Sequence, residues 1–314
     1  MLVKTDIPKL LLAGMKTEFM SSFEKAEKEY LNIATVIKSS KSTETYPWLG
    51  SVPKMHEWVD ERVPQGLLEH DFTVPNRDFE ASIAVDKNAI DDEQYGQIEL
   101  RVKELSTEAA RFFDELTYTL IPEGINTTGS TGSLFQGLNV SCYDGKAFFA
   151  TNHSEGNSGT HSNRGSTAIS TSAIQAAITA MRKFKNDQGK PSHKKPDTLV
   201  VPPDLEWTAR KIINSPSDPS EGTTTSFDAI NTIKGALKIV VNDYLTDTNN
   251  WYLFDTRGNV KPIILQMRKS PVFDNLTDNT EAAFMRKKLY FGVDWRGAVA
   301  FGDWRTGYAS IVSA

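Results

Sequence analysis

His153, Glu155 and His161 lie within one short segment. Two imidazoles and a carboxylate can hold zinc or non-haem iron, and such a centre would make the chain a metal-dependent hydrolase. The spacing H-x-E-x5-H, however, puts the three on no common helix face and matches no metal-hydrolase signature. The surrounding chain is also poor at fixing ligands, because 15 of the 21 residues from 151 to 171 are Gly, Ser, Thr or Asn. These three are therefore expected to be polar loop residues, with no metal and no cofactor. Cys142 is the only cysteine, so no intrachain disulfide or thiolate cluster can form. In VSCYDG it reads as a small buried hydrophobe rather than a nucleophile. There is no G-x-S-x-G, P-loop or dinucleotide fingerprint, and GSTGS (129–133) lacks the following Lys-Ser/Thr of a phosphate cradle. No catalytic residue is assigned, and an enzyme is not expected.

Charge narrows the classes further. Thirty-five Lys and Arg against 40 Asp and Glu give −5, which offers no global basic bias for nucleic acid. Two local runs stand out. Residues 182–195, RKFKNDQGKPSHKK, carry six bases against Asp187, and with no aromatic interleaved beyond Phe184 they read as a solvated face. Between 86 and 120, nine carboxylates face four bases, including Glu99, Glu104, Glu108 and Glu115. No apolar run approaches the ~18 residues of a membrane helix. At the N-terminus, Asp6 and Pro8 interrupt the charged stretch before Leu10–Leu11–Leu12, so this is expected to be an amphipathic arm rather than a signal peptide. A soluble, non-exported protein follows.

The elements that must position these residues can be read from periodicity. Phe19, Phe23, Ala26, Tyr30, Ile33 and Val36 recur at helical spacing in an N-terminal arm, residues 1–46. Residues 47–88 read as an extended loop. Within it, GLLEHDFTV and FEASIAV flank PNRD, predicting a hairpin over about 66–85 with Phe72, Val74, Phe79 and Ile83 as its apolar positions. Ile98, Val102, Leu105, Ala109, Phe112, Leu116 and Leu120 form one stripe, predicting a helix from about 93 to 121 that Pro122 ends. At ~1.5 Å per residue it would be a rod of roughly 40 Å. A helix from Ser170–Thr171 to Gly189, a buried strand TLVVP and a helix DLEWTARKII follow. The end is β-rich, in three runs separated by turn residues. Strands on both sides of a helical middle imply an α+β fold with one domain inserted into another.

Six stretches carry a resemblance: IATVIKSS…YPWLGSVPKMHEW, NRDFEASIAVDKNAIDDEQYG, SCYDGKAFFATNHSEG, TLVVPPDLEWTAR, KPIILQMRKSP and AFMRKKLYFGVDWRGAVAFGDWRTGY. In this order they resemble the major head subunit family of Mu-like phages and prophages, over roughly residues 10–310. The resemblance implies the Hong Kong 97-type capsid fold, with an N-terminal arm, an extended hairpin loop, a peripheral domain with a long spine helix (89–125 and 250–314) and an axial domain (126–249). It implies a structural protein that assembles with itself, as hexamers and pentamers, into an icosahedral head around double-stranded DNA. Separate scaffold, protease and portal partners, no sequence-specific DNA contact, no membrane, and assembly in the host cytoplasm before residence in the virion are implied with it. Phe72, Val74, Phe79 and Ile83 would be the hairpin's assembly contacts with a neighbouring subunit, and Glu99, Glu104, Glu108 and Glu115 would form an acidic inner face. In the self-cross-linking relative a loop Lys bonds to a neighbour's Asn. No Lys lies between Lys54 and Lys87, so a hairpin over 66–85 would leave the subunits uncross-linked. The alternatives are the loop metal hydrolase and another phage structural protein, such as a tail component.

Overall fold

The computed structural model describes residues 7–49, 69–86, 95–217, 230–276, 285 and 287–312. Helix α1 (Ile7–Lys25) forms the arm, followed by β1 (Ala34–Lys38) and β2 (Thr43–Leu49). Next come β3 (Glu69–Pro75), β4 (Arg77–Asp86), the long helix α2 (Tyr95–Tyr118) and a one-turn helix α3 (Leu120–Glu123). The middle holds the short strands β5 (His153–Ser154), β6 (Thr160–His161) and β7 (Arg164–Gly165), then α4 (Thr171–Arg182), β8 (Thr198–Val201) and α5 (Glu206–Asn214). Strands β9 (Lys238–Val241), β10 (Trp251–Phe254), β11 (Ile263–Leu276), β12 (Lys288–Phe301) and β13 (Gly307–Ser310) complete the chain.

The stripe on α2 does what its spacing demands. Ile98, Val102, Leu105 and Leu116 are buried, and the first three pack against Met15 and Phe19 of α1 and Phe273, Phe291 and Val293 of the sheet behind. Phe19 stacks on Phe273 at 4.9 Å, and Ser106 Oγ donates to Phe19 O at 2.7 Å. The helix ends at Tyr118 rather than at Pro122. Pro122 instead sits within α3, where the amide it lacks would have no helical partner. Helix α4 has the expected cap, with Ser170 Oγ accepting from Ala173 N at 3.1 Å. It stops at Arg182, and the residues up to Gly189 turn back through a Lys185–Pro191 bridge.

Two sheets organise the body. One has the order β1-β11-β12-β4, the other β7-β13-β10-β8-β9. Strands β8 and β10 are buried along their whole length, as central strands covered on both faces are. Because β10 and β13 belong to the sheet that holds β8 and β9, a domain boundary at 249/250 cuts through one sheet. Strand β12 alternates, with Leu289, Phe291, Val293 and Trp295 inward, and runs unbroken through Gly297. A Cβ at Gly297 would lie 2.2 Å from Gln266 O, so only glycine lets β11 and β12 stay paired there.

The predicted hairpin over 66–85 does not form. Strand β3 pairs antiparallel with β2, from Thr43↔Pro75 to Leu49↔Glu69. Strand β4 pairs instead with β12, from Arg77↔Gly297 to Asp86↔Lys288. Asn76 makes no type I turn. Its N–H donates to Ser42 O at 2.9 Å, its Nδ2 reaches Ser39 Oγ and Lys41 O, each at 2.8 Å, and its Oδ1 accepts from Gln266 Nε2 at 2.7 Å. One residue held this way carries the chain straight from the β2–β3 ribbon into β4.

At the arm–helix junction, Asp114 Oδ1 accepts the Tyr30 N–H at 2.6 Å. Burial pushes this carboxyl up to about 6, with Glu29 and Glu27 adding to the rise and the Tyr30 N–H opposing it. The folded chain therefore takes up this proton more readily than the unfolded chain, and ionised Asp114 costs stability above pH 6. Asp114→Asn keeps the acceptor without the charge. Urea unfolding at pH 8 should show it more stable than the parent by about 2 kcal/mol, with a flatter stability profile between pH 4 and 6. A variant whose profile is as steep as the parent's would contradict this.

Candidate functional site

The four residues expected to make the hairpin's assembly face are satisfied within the subunit. Phe72 and Val74 are buried at the root of the β2–β3 ribbon against Ala298 and Ala300 of β12. Phe79 lies 5.0 Å from both Phe112 and Trp295, and Ile83 packs on the α1–α2 cluster. These are core contacts because β4 is a strand of the body. The ribbon pairs 43–49 with 69–75, and the segment between them, 50–68, lies outside the described residues. That segment carries Lys54, so the argument that the hairpin offers no amine does not hold.

Three of the four acidic positions on α2 are in exposed ion pairs. Glu99 meets Lys103 at 2.8 Å, Glu104 meets Arg101 at 2.8 Å and Glu108 meets Arg111 at 3.0 Å. Such pairs stabilise little, and they leave the excess negative charge of the segment unchanged. The acidic run at 91–93 lies outside the described residues.

The loop cluster is built quite differently from a metal centre. His153 and His161 face each other across the β5–β6 ladder, but their nitrogens are committed elsewhere. His153 is fully buried and stacked on Trp304 at 4.2 Å. Its Nδ1 lies 2.6 Å from Asp144 Oδ2 and its Nε2 3.3 Å from Phe148 O. The Asp144 carboxyl is held below its usual range: burial opposes this, and His153 and Lys146 together outweigh it. Nε2 of His161 lies 3.0 Å from Ser158 O.

Glu155 turns away from both histidines to the Arg305 guanidinium, and also accepts from Tyr143 Oη at 3.0 Å. Arg305 is the hub. Its Nη1 donates to Tyr143 Oη at 2.6 Å and to Asp303 Oδ1 at 3.3 Å, its Nε donates to Lys185 O at 3.0 Å, and its Cζ sits 4.6 Å over the Trp304 ring. Asp303 also meets Lys194 at 3.1 Å. Burial opposes its charge, but Lys194 and Arg305 hold the carboxyl at about 2. Asn163 closes the network, its Nδ2 donating to Phe148 O at 2.7 Å and Trp304 O at 3.1 Å. A Gly/Ser-rich loop with little core of its own is thus fastened to the 303–306 turn by buried charge.

Other chemistry-bearing residues are similarly engaged. Cys142 is buried, which pushes its thiol well above the usual range, and it donates to Gly302 O at 3.0 Å. Ser130 of GSTGS holds the chain's own carboxylate, since Glu123 Oε2 accepts from Ser130 N at 2.9 Å and Ser130 Oγ at 2.8 Å. Among the described residues no group of His, Cys, Asp and Glu is arranged to hold a metal ion, and no helix is long and apolar enough to cross a membrane. A surface feature that sequence reasoning missed is the exposure of two large apolar side chains: Trp207 on α5 is 76% exposed and Ile230 80%. In the sequence, Trp207 is one more apolar position of a short helix.

With catalytic and metal arrangements wanting, similarity to known proteins decides the class. The family profile described as Mu-like prophage major head subunit gpT matches residues 9–172, 164–245 and 246–312. The chain belongs to that family. It is 26% identical over 308 residues to the Mu-like prophage FluMu major head subunit of Haemophilus influenzae, covering 98% of this chain and 74% of that one. It is 24% identical over 310 residues to the major capsid protein of Escherichia phage Mu, covering 98% and 75%. Among solved structures, the bacteriophage JBD30 procapsid superposes with a TM-score of 0.58 at 24% identity, covering 100% of this chain and 77% of that chain. A virus-like particle from Pyrococcus furiosus gives 0.52 at 10% identity, covering 95% and 98%. The fold of this head subunit is therefore the α+β Hong Kong 97-type capsid fold, and its function is that of a major capsid protein forming a phage head.

Proposed function

We propose that this head subunit closes with copies of itself, as hexamers and pentamers, into an icosahedral shell around double-stranded DNA, and catalyses no reaction. The β2–β3 ribbon carries this reading, because among the described residues it forms a two-stranded sheet with no third strand. An isolated two-stranded ribbon is marginal in water and presents open edges, so a neighbouring subunit is its natural cover. Trp207 and Ile230 would supply apolar anchors for contacts around the symmetry axes, where heterologous surfaces meet in a ring. Separate scaffold, protease and portal proteins, assembly in the host cytoplasm and residence in the virion complete the proposal. Glu99, Glu104, Glu108 and Glu115 would face the interior, where net negative charge repels packed DNA over a Debye length of about 8–10 Å.

Electron microscopy of the purified full-length chain tests this reading, with closed shells as the expected result. Tubes or small discrete particles would overturn it. Reversing the four glutamates to Lys should leave shells that retain nucleic acid in a salt-dependent way, because each new phosphate contact releases counterions. Charge-reversed shells as empty as the parent's would remove the role given to this face.

A further inference from the structure

Between α2 and strands β4, β11 and β12 lies a trough of about 270 Å³ whose chemistry the shell does not explain. Its floor is aromatic. Phe113 and Trp295, 5.0 Å apart and almost fully buried, form the base, and the partly buried rings of Phe79 and Phe112 form the walls. Its rim is acidic, with Glu80 on β4 and Glu108 and Glu115 on α2.

Nearby bases are already engaged. Arg111 pairs with Glu108 at 3.0 Å and Lys269 pairs with Asp294. Arg77 donates to Leu134 O at 2.8 Å, with its guanidinium 5.0 Å over the Phe79 ring. Among the described residues, Glu80 and Glu115 have no base of their own. We propose that this trough binds a linear polyamine, its methylene stem on the aromatic floor and its ammonium groups on the rim carboxylates.

The physical case rests on matching both halves of such a ligand. Methylene groups gain by leaving water for an aromatic surface, and ammonium groups are attracted both to ring faces and to carboxylates. A hydrated divalent cation could use only the rim, and a neutral alkyl chain only the floor. The site does not depend on which way this face looks in a shell.

Calorimetric titration of the full-length chain at about 0.15 M salt with spermidine, magnesium ion and 1,8-octanediol separates these cases. Spermidine should bind saturably, one per chain, and at least about tenfold more tightly than either control. Glu80→Gln with Glu115→Gln should weaken it about tenfold, and Ala109→Leu, which fills the trough from the helix side, should abolish it. Equal binding of magnesium or of the diol, or indifference to these substitutions, would overturn the proposal. A peptide of residues 182–195 that displaces spermidine and binds more tightly would also overturn it, assigning the trough to a lysine-rich contact between copies.

Discussion

Arg305→Met is expected to lower the unfolding free energy of the subunit by about 3–5 kcal/mol. The side chain is 8% exposed and is the shared partner of Glu155, Asp303 and Tyr143. Removing it takes the buried ion pair away from the Glu155 carboxylate, which is 5% exposed and keeps the Tyr143 hydroxyl at 3.0 Å. Asp303 loses less, because Lys194 remains at 3.1 Å. Methionine approximates the arginine stem, so the loss reports charge rather than a cavity. Thermal and urea unfolding measure the total. Limited proteolysis localises it, with new cleavage expected between 151 and 165. Adding Glu155→Gln to Arg305→Met should recover a substantial part of the loss, since the stranded charge is then gone. A loss under about 1 kcal/mol, with no recovery, would mean that the loop is held by the Trp304 stack and the Asn163 bonds instead.

The hub also marks where sequence reading runs out. Periodic elements were legible because their signal is local: the α2 stripe, the Ser170 cap and the buried strand TLVV all appear where spacing and composition place them. Pairing is not local. PNRD has the composition of a type I turn, but Asn76 bonds to a bend more than thirty residues earlier and to Gln266 far along the chain. Those tertiary partners overrode the local preference. Likewise, Glu155 and Arg305 are 150 positions apart, and nothing at either one advertises the other. The Gly/Ser-rich composition around His153 correctly indicates loop, but says nothing of the buried charges that fasten it. Resemblance to the head subunit family supplied the fold class, yet it could not assign partners to β3 and β4.

Shortening the β2–β3 ribbon should abolish shells while sparing the subunit. The change must respect the observed register rather than the hairpin over 66–85, because removing β4 would take Phe79 and Ile83 out of the core. Tyr46 pairs with Phe72, so replacing residues 47–71 with Asn-Gly closes the ribbon with a two-residue turn suited to the twist of paired strands. The root contacts survive: Tyr46 Oη still donates to Gln266 Oε1 at 2.8 Å, and Phe72 and Val74 still cover Ala298 and Ala300. No strand of either large sheet is touched, so stability should change by no more than about 1 kcal/mol. Size-exclusion chromatography should then give a monodisperse folded subunit, and electron microscopy no closed particles. A ribbon with no third strand among the described residues offers its open edges to something outside its own subunit, and a shell of identical copies supplies a neighbour. Normal closed particles from this variant would remove the ribbon from the assembly mechanism and leave the exposed Trp207 and Ile230 as the surfaces to pursue. An aggregated, unfolded product would contradict the claim that the ribbon's outer part is dispensable to the fold.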